Sequence, residues 1–227
     1  MMEPEPVVFI VDDDASVRKS LERLVRSVRL RGETFASAYE FLQCLQRKPA
    51  DGPSCLVLDV RMPSVSGLAL QEMLAAAGHR LPIIFITGHG DITMSVRAMK
   101  AGAVDFLAKP VNDQELLEAI QEAIARDRQA RQEQAARQNI QRRVTLLTPR
   151  ERDVLALIVA GLLNKQIAAA LGTSEKTVKV HRARVMQKMQ VASVAQLVLL
   201  AEKVGLTAPQ DLSPLDQSPI STHCLHE

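Results

Sequence analysis

The chain has no GxxxxGK[ST] phosphate loop, no CxxC pair, and no apolar run approaching the ~18 residues that cross a bilayer. Each absence removes a class of function. Nucleotide hydrolysis of the P-loop kind is not expected, and neither is a membrane helix. The three cysteines, Cys44, Cys55 and Cys224, are scattered, so they read as two small core side chains and one tail thiol rather than as disulfides. His223, Cys224 and His226 lie in a Pro- and Ser-rich tail without periodicity, where such a cluster is expected from composition and not from metal binding. The opening MMEPEP lacks the basic stretch and apolar core of a signal peptide, which makes the cytoplasm the expected compartment.

What is present is enough for two small domains: 227 residues, 47% of them hydrophobic. The formal charge of +2 hides a segregation along the chain. Residues 1–125 carry 13 Lys+Arg against 17 Asp+Glu, whereas residues 142–190 carry 10 against 3, a local net charge of +7. A compact segment that basic is the electrostatic footprint of a polyanion binder, because its cations can release counterions from a phosphate backbone.

In the acidic half, short apolar runs alternate with amphipathic helix candidates such as SVRKSLERLVRSV and SGLALQEMLAAA. This predicts a βα repeat, five times over, with a parallel sheet. Four runs end on chemically pointed residues: VVFIV before Asp12 and Asp13, CLVL before Asp59, IIFIT closing on Thr87, and DFLA before Lys109. In an open parallel sheet the carboxyl ends of the strands converge on one crevice, so these distant residues can meet there. Carboxylates gathered at such a place repel one another unless a cation intervenes, and an all-oxygen set suits Mg²⁺. Asp59 stands alone at a strand end and is the candidate nucleophile, since an aspartate can accept a phosphoryl group as an acyl phosphate. Asp13 is the candidate metal ligand. Thr87 offers a hydroxyl and Lys109 a compact cation, the groups needed where charge spreads over the oxygens of a transferring phosphoryl group.

These residues resemble the receiver domains of two-component response regulators. VFIVDDDASVRKSL is similar to the receiver's acidic pair and first helix, LVLDVRMPSVSGL to its phosphorylation loop, FITGHGD to its switch strand, and AVDFLAKP to its switch aromatic and Lys-Pro step. The resemblance implies a flavodoxin-like (βα)5 doubly wound fold over residues 1–125, with Asp59 as phosphoacceptor. It implies further that Asp12, Asp13, Asp59 and the main-chain carbonyl of Arg61 serve Mg²⁺, that Thr87 and Phe106 form the switch, and that Lys109 pairs with the phosphate. The bond before Pro110 is cis in such a receiver.

Residues 112 to about 142 contain no proline or glycine, and their apolar face fades after Ile124. The last receiver helix is therefore expected to continue as a helical linker, 126–143, whose polar second half lacks the a/d repeat of a coiled coil. Beyond it, LTPRERDVLALIVAGLLNKQIAAALGTSEKTVKVHRARVMQKM reads as three short helices. Thr148, Pro149 and Glu151 form a capping box closed downstream by Gly161; Asn164 opens KQIAAAL, which Gly172 ends; after Thr173 and Ser174 comes EKTVKVHRARVMQKM. Helix, glycine-containing turn, helix is the helix-turn-helix arrangement. Val178, Val185 and Met189 share one face and are the expected core, with His181 beside it. That leaves Lys176, Lys179, Val180 and Ala183 facing outward, flanked by Arg182 and Arg184. A fourth helix, SVAQLVLLAEKVGL, carries a stripe of Val194, Leu197, Val198 and Ala201.

Residues 144–206 resemble the LuxR-type output domain of the FixJ and NarL class, an all-α four-helix unit. By that resemblance Lys179, Val180 and Ala183 approach base edges, while Lys165, Thr173, Thr177, Arg182 and Arg184 are placed for phosphates. The fourth helix gains a role in dimer contact. Residues 207–227 are expected to be disordered.

The joint expectation is a non-enzymatic transcription factor. It is phosphorylated by a sensor histidine kinase with Mg²⁺, dimerises on phosphorylation, and binds double-stranded promoter DNA and RNA polymerase, away from any membrane. Two rivals remain. One is a haloacid-dehalogenase-like phosphatase using Asp12 and Asp14; its later acidic motif is spoiled where GDITMS puts Ser95 in place of an acid. The other is a constitutive DNA binder with a vestigial receiver.

Overall fold

The computed structural model describes residues 4–47, 51–88 and 92–206. Tail residues 207–227, with the expected disorder, Cys224 and its two histidines, lie outside the described residues, as do His89, Gly90 and Asp91. The chain divides into two compact units, Met1–Glu133 and Gln134–Glu227.

The first unit alternates β1 (Val7–Val11), α1 (Ala15–Ser27), β2 (Arg31–Phe35), α2 (Ala38–Arg47), β3 (Ser54–Asp59), α3 (Gly67–Ala76), β4 (Ile83–Thr87), α4 (Ile92–Lys100) and β5 (Asp105–Ala108), followed by α5 (Asp113–Thr145). The strands pair in the order β2-β1-β3-β4-β5, and every pairing is parallel. This is the flavodoxin-like, doubly wound arrangement, with its switch point between β1 and β3. Both faces of the sheet are covered. Phe9, Val11, Leu56, Leu58 and Phe85 pack with Phe41 of α2 and Leu70 of α3, whereas Val8, Ile10, Val57, Ile84 and Ile86 pack with Val25 of α1 and Leu116 and Ile120 of α5. Alternate residues of one strand serve opposite cores, which is why the central strands are apolar throughout. The edge strand β2, RGETF, is exposed or half-buried along its length and carries no such run.

Helix α5 starts from Asn112, whose Oδ1 accepts from the N–H groups of Gln114 (2.9 Å) and Glu115 (3.2 Å). Its apolar stripe ends at Ile124, but the next position on that stripe is also buried: Asp127 accepts from Ser54 N at 2.7 Å and from Arg131 Nε at 2.6 Å. The expected linker thus contributes its first turn to the receiver-like unit. At its other end, Ile140 joins Val144 and Leu147 in the core of the second unit. Residues 132–139 between them are exposed all round.

In the second unit α6 (Pro149–Val159), α7 (Asn164–Ala170), α8 (Glu175–Met189) and α9 (Val194–Lys203) enclose Val154, Ile158, Ile167, Val178, Val185, Met189 and Leu197. The capping box at Thr148 and Glu151 is formed, and Gly161 and Gly172 take the left-handed conformation, φ 83° and 60°. Helix α8 spans the run expected from its signals, with Ser174 capping Thr177 N. At α7 the N-cap is Leu163, which offers no acceptor; Gln166 Oε1 reaches back to Leu163 N at 2.8 Å instead.

Candidate functional site

At the carboxyl edge of the sheet, β1 runs into Asp12, β3 ends on Asp59, β4 ends on Thr87, and Lys109 follows β5. The side chains meet. Lys109 Nζ lies 2.6 Å from Asp12 Oδ2 and 3.1 Å from Asp59 Oδ1, across 97 and 50 residues of sequence respectively (109 − 12 and 109 − 59). Oxygens of Asp12, Asp13 and Asp59 all lie within 4.8 Å of one another. Asp12 and Asp59 are buried and Asp13 is exposed, so the cluster opens to solvent on one side.

The local chain explains the placement. Lys109 N donates to Thr87 O at 2.7 Å, continuing the β4–β5 ladder one step past the strand and setting the lysine over the crevice. Asp12 Oδ1 accepts from Asp14 N at 2.8 Å, and Arg18 Nη1 donates to Asp12 O at 2.6 Å, which fixes the turn into α1. The Lys109–Pro110 bond is cis, as the receiver resemblance implied. Gly67 opens α3 beside the phosphoacceptor candidate; a Cβ there would sit 2.3 Å from Asp59 O, a distance no side chain tolerates.

Burial pushes the Asp59 carboxyl above its ordinary range; the hydrogen bond and charge of Lys109 oppose that, and Asp12 and Asp13 add to it. For Lys109 burial works against the ammonium, but bonds to both aspartates outweigh it and hold the group protonated. The lysine is thus the cation that this cluster of carboxylates requires. An all-oxygen donor set around a small gap is the kind that fits Mg²⁺.

Thr87 is fully buried. Phe106 is half-buried, its ring 6.1 Å from that of Phe85. Arg61 is exposed, two residues past Asp59. Asp14, the second acid of the phosphatase reading, is spent as the N-cap of α1, its Oδ1 accepting from Ser16 N (2.7 Å) and Val17 N (3.4 Å).

On α8, Lys176, Thr177, Lys179, Val180, Ala183 and Arg184 are exposed, as is Lys165 on α7; Thr173 and Arg182 are half-buried. Thr177 Oγ1 lies 2.9 Å from Ser174 Oγ, and Arg182 Nη1 donates to Asn164 Oδ1 at 3.1 Å. His181 sits beside the core face, half-buried. Two elements of this unit escaped the sequence reading. Lys188 Nζ donates to the buried Glu151 at 2.7 Å and to Leu146 O at 3.1 Å, and Arg143 Nη1 donates to Met189 O at 2.9 Å. In each case the signal was a charged residue in register with an apolar stripe.

Comparison with known proteins decides what these two units are. Residues 8–121 match the family described as "Response regulator receiver domain", and residues 145–201 match "Bacterial regulatory proteins, luxR family". The chain belongs to the two-component transcriptional response regulators. This response regulator is 52% identical to Nodulation protein W of Bradyrhizobium diazoefficiens over 89% of its own length and 88% of that protein. It is 42% identical to Transcriptional regulatory protein FixJ of Azorhizobium caulinodans, covering 91% and 97% of the two chains. The solved structure of response regulator StyR superposes with a TM-score of 0.79 at 49% identity, over 88% of this chain and all of that one. A receiver joined to a LuxR-type domain implies a histidine kinase and DNA as partners of the response regulator, and receivers bind Mg²⁺ at such an acidic cluster. Among the described residues no helix is long and apolar enough to cross a membrane.

Proposed function

We propose that this chain acts in the cytoplasm, that Asp59 accepts a phosphoryl group from the phosphohistidine of a sensor histidine kinase, and that this modification controls promoter binding by the helix-turn-helix unit. The observation that carries the reading is the bridge from Lys109 Nζ to both Asp12 and Asp59. One cation holds the acceptor carboxylate and a candidate metal ligand at the mouth of one crevice.

In the transfer, an Asp59 carboxylate oxygen forms the new P–O bond as the P–N bond of the donor breaks, and the imidazole leaves with the bonding pair and takes up a proton. Asp12, Asp13, Asp59 and the main-chain carbonyl of Arg61 would hold Mg²⁺, which neutralises phosphoryl oxygens when bound. Lys109 exchanges a carboxylate partner for a phosphoryl oxygen, keeping its charge at the reacting group. Thr87 donates its hydroxyl to another phosphoryl oxygen, and Phe106, packed on Phe85, moves with it as the switch.

Downstream, Lys179, Val180 and Ala183 read base edges in the major groove, while Lys165, Thr173, Lys176, Thr177 and Arg184 face the backbone. Phosphorylation promotes a homodimer that binds a two-fold operator and engages RNA polymerase; the chain performs no chemistry beyond its own phosphorylation and dephosphorylation. The reading is tested by measuring affinity for a selected operator before and after acetyl phosphate with Mg²⁺. Tightening on phosphorylation is expected. Equal affinity in both states would favour a constitutive DNA binder, and steady release of phosphate from a generic ester would favour the phosphatase.

A further inference from the structure

We propose that Arg182 is a positioning residue of the helix-turn-helix, holding the amino end of α7 against the middle of α8 through Asn164, and not one of the cations that meet phosphates. This deepens the DNA-binding reading above and rests on it.

The first observation is angular. At 3.6 residues per turn, Val178, Val185 and Met189 lie within about 20° of one line along α8, and Arg182 falls about 40° from Val178 on that same side. Lys176, Val180 and Ala183 lie roughly opposite. All three apolar residues of the line are fully buried, so Arg182 projects from the edge of the face that packs on the rest of the unit. Its exposure agrees: Arg182 is half-buried where Lys176, Lys179 and Arg184 are exposed.

The second observation is chemical. Arg182 Nη1 donates to Asn164 Oδ1 at 3.1 Å, across 18 residues of sequence. Asn164 is the first residue of α7, yet the cap belongs to Leu163 and the return bond to Gln166, which leaves the Asn164 amide oxygen for Arg182. The first turn of α7 contains no acid, so a cation gains nothing from that helix end, and the hydrogen bond is what fixes the guanidinium there. Beside this bond, Ile167 and Ala168 of α7 share the apolar core with Val178 of α8, a burial that carries no direction of its own. A directional bond between a planar guanidinium and an amide supplies the missing constraint on the angle between the two helices. Further along α8, Lys188 to Glu151 and Arg143 to the Met189 carbonyl fix its carboxyl end.

The test uses the full-length protein and a fluorescent mixed-sequence DNA duplex, titrated over a series of salt concentrations, with Asn164→Ala, Arg182→Met, the double variant, and Lys179→Ala for comparison. Asn164→Ala changes no charge. Positioning predicts that it and Arg182→Met each weaken binding by roughly 10- to 100-fold, as loss of one hydrogen bond to a charged group would, that the double variant is no weaker than either, and that the salt slope keeps its wild-type value. A phosphate-contacting Arg182 predicts instead that Asn164→Ala binds as wild type and that Arg182→Met lowers the slope by about 0.9; that result overturns the proposal. Thermal melting of the wild type, Asn164→Ala, Arg182→Met and the double variant judges the pair independently of DNA. Non-additive shifts in Tm support the coupling and additive shifts overturn it, even if the wild type fails to bind the duplex and the DNA-binding reading itself falls.

Discussion

Gly67 shows how closely the backbone is drawn around the proposed acceptor, Asp59. Its missing Cβ is what allows the start of α3 to lie against the carbonyl of Asp59, with Gly67 N donating to Val60 O at 2.9 Å. Gly67→Ala would force the loop carrying Asp59 to shift. We expect the variant to melt earlier and to incorporate phosphate from acetyl phosphate at least about tenfold more slowly, since a displacement of about 1 Å from productive geometry costs that much or more. Wild-type rates in a folded Gly67→Ala protein would contradict this. A second residue sets acid stability. Glu151 is held below the ordinary carboxylate range, first by the Lys188 hydrogen bond and then by the Thr148 N–H. Its folded pKa is depressed, so its contribution is complete above the unfolded value of about 4.3 and is lost as pH falls through the folded value. Glu151→Gln should therefore destabilise the second unit by about 2 kcal/mol at neutral pH. The gap from wild type should close in melts taken progressively below pH about 4.3, and a gap independent of pH would exclude the ion pair as its cause.

The elements differ in how much of them the sequence declares. The runs VVFIV, SCLVLD and IIFIT are buried on both faces and therefore continuously apolar, which makes β1, β3 and β4 readable. Edge strand β2 needs no such run, and RGETF gives little sign of itself. Helix α8 is legible to the residue because Ser174 caps it and Val178, Val185 and Met189 share one face, and the meeting of Asp12, Asp13, Asp59 and Lys109 follows from parallel strand ends. The bond from Ser54 N to Asp127, across 73 residues, is set by packing between segments far apart in sequence, and the approach of Gly67 to the Asp59 carbonyl by the folding of the loop between them; nothing local announces either. Helix α7 carries an element-scale prediction. Its N-cap is an exposed Leu163 with no acceptor. Leu163→Ser supplies one, and should raise the stability of the second unit by about 1 kcal/mol in thermal melts. An unchanged or lowered Tm would show that Leu163 does work in the fold that its exposure does not reveal.

At the scale of the molecule, one helix of 33 residues belongs to both units. Both ends are anchored by apolar residues, Leu116, Ile120 and Ile124 in the first unit and Ile140 and Val144 in the second, and Asp127 adds a bond from Ser54 N in the first. The stretch 132–139 is exposed all round and is held only by its own backbone and side-chain pairs. Amide exchange should therefore be fastest, within α5, over these residues. Slow exchange there, matching residues 116–124, would contradict the division. Charge is divided between the units as well. Three exposed cations, Lys165, Lys176 and Arg184, are the ones proposed to face DNA phosphates, so the salt slope of binding should be about −2.7 per subunit.

The central claim, that Asp59 is the acceptor of a switch controlling the DNA-binding unit, is tested most directly by the intact mass of the wild type and of Asp59→Asn after acetyl phosphate with Mg²⁺, each sample being carried on to operator binding. The account predicts one added phosphate on the wild type alone, lost when Mg²⁺ is chelated beforehand and accompanied by tighter binding. A phosphate on Asp59→Asn, or none on either protein, would contradict it.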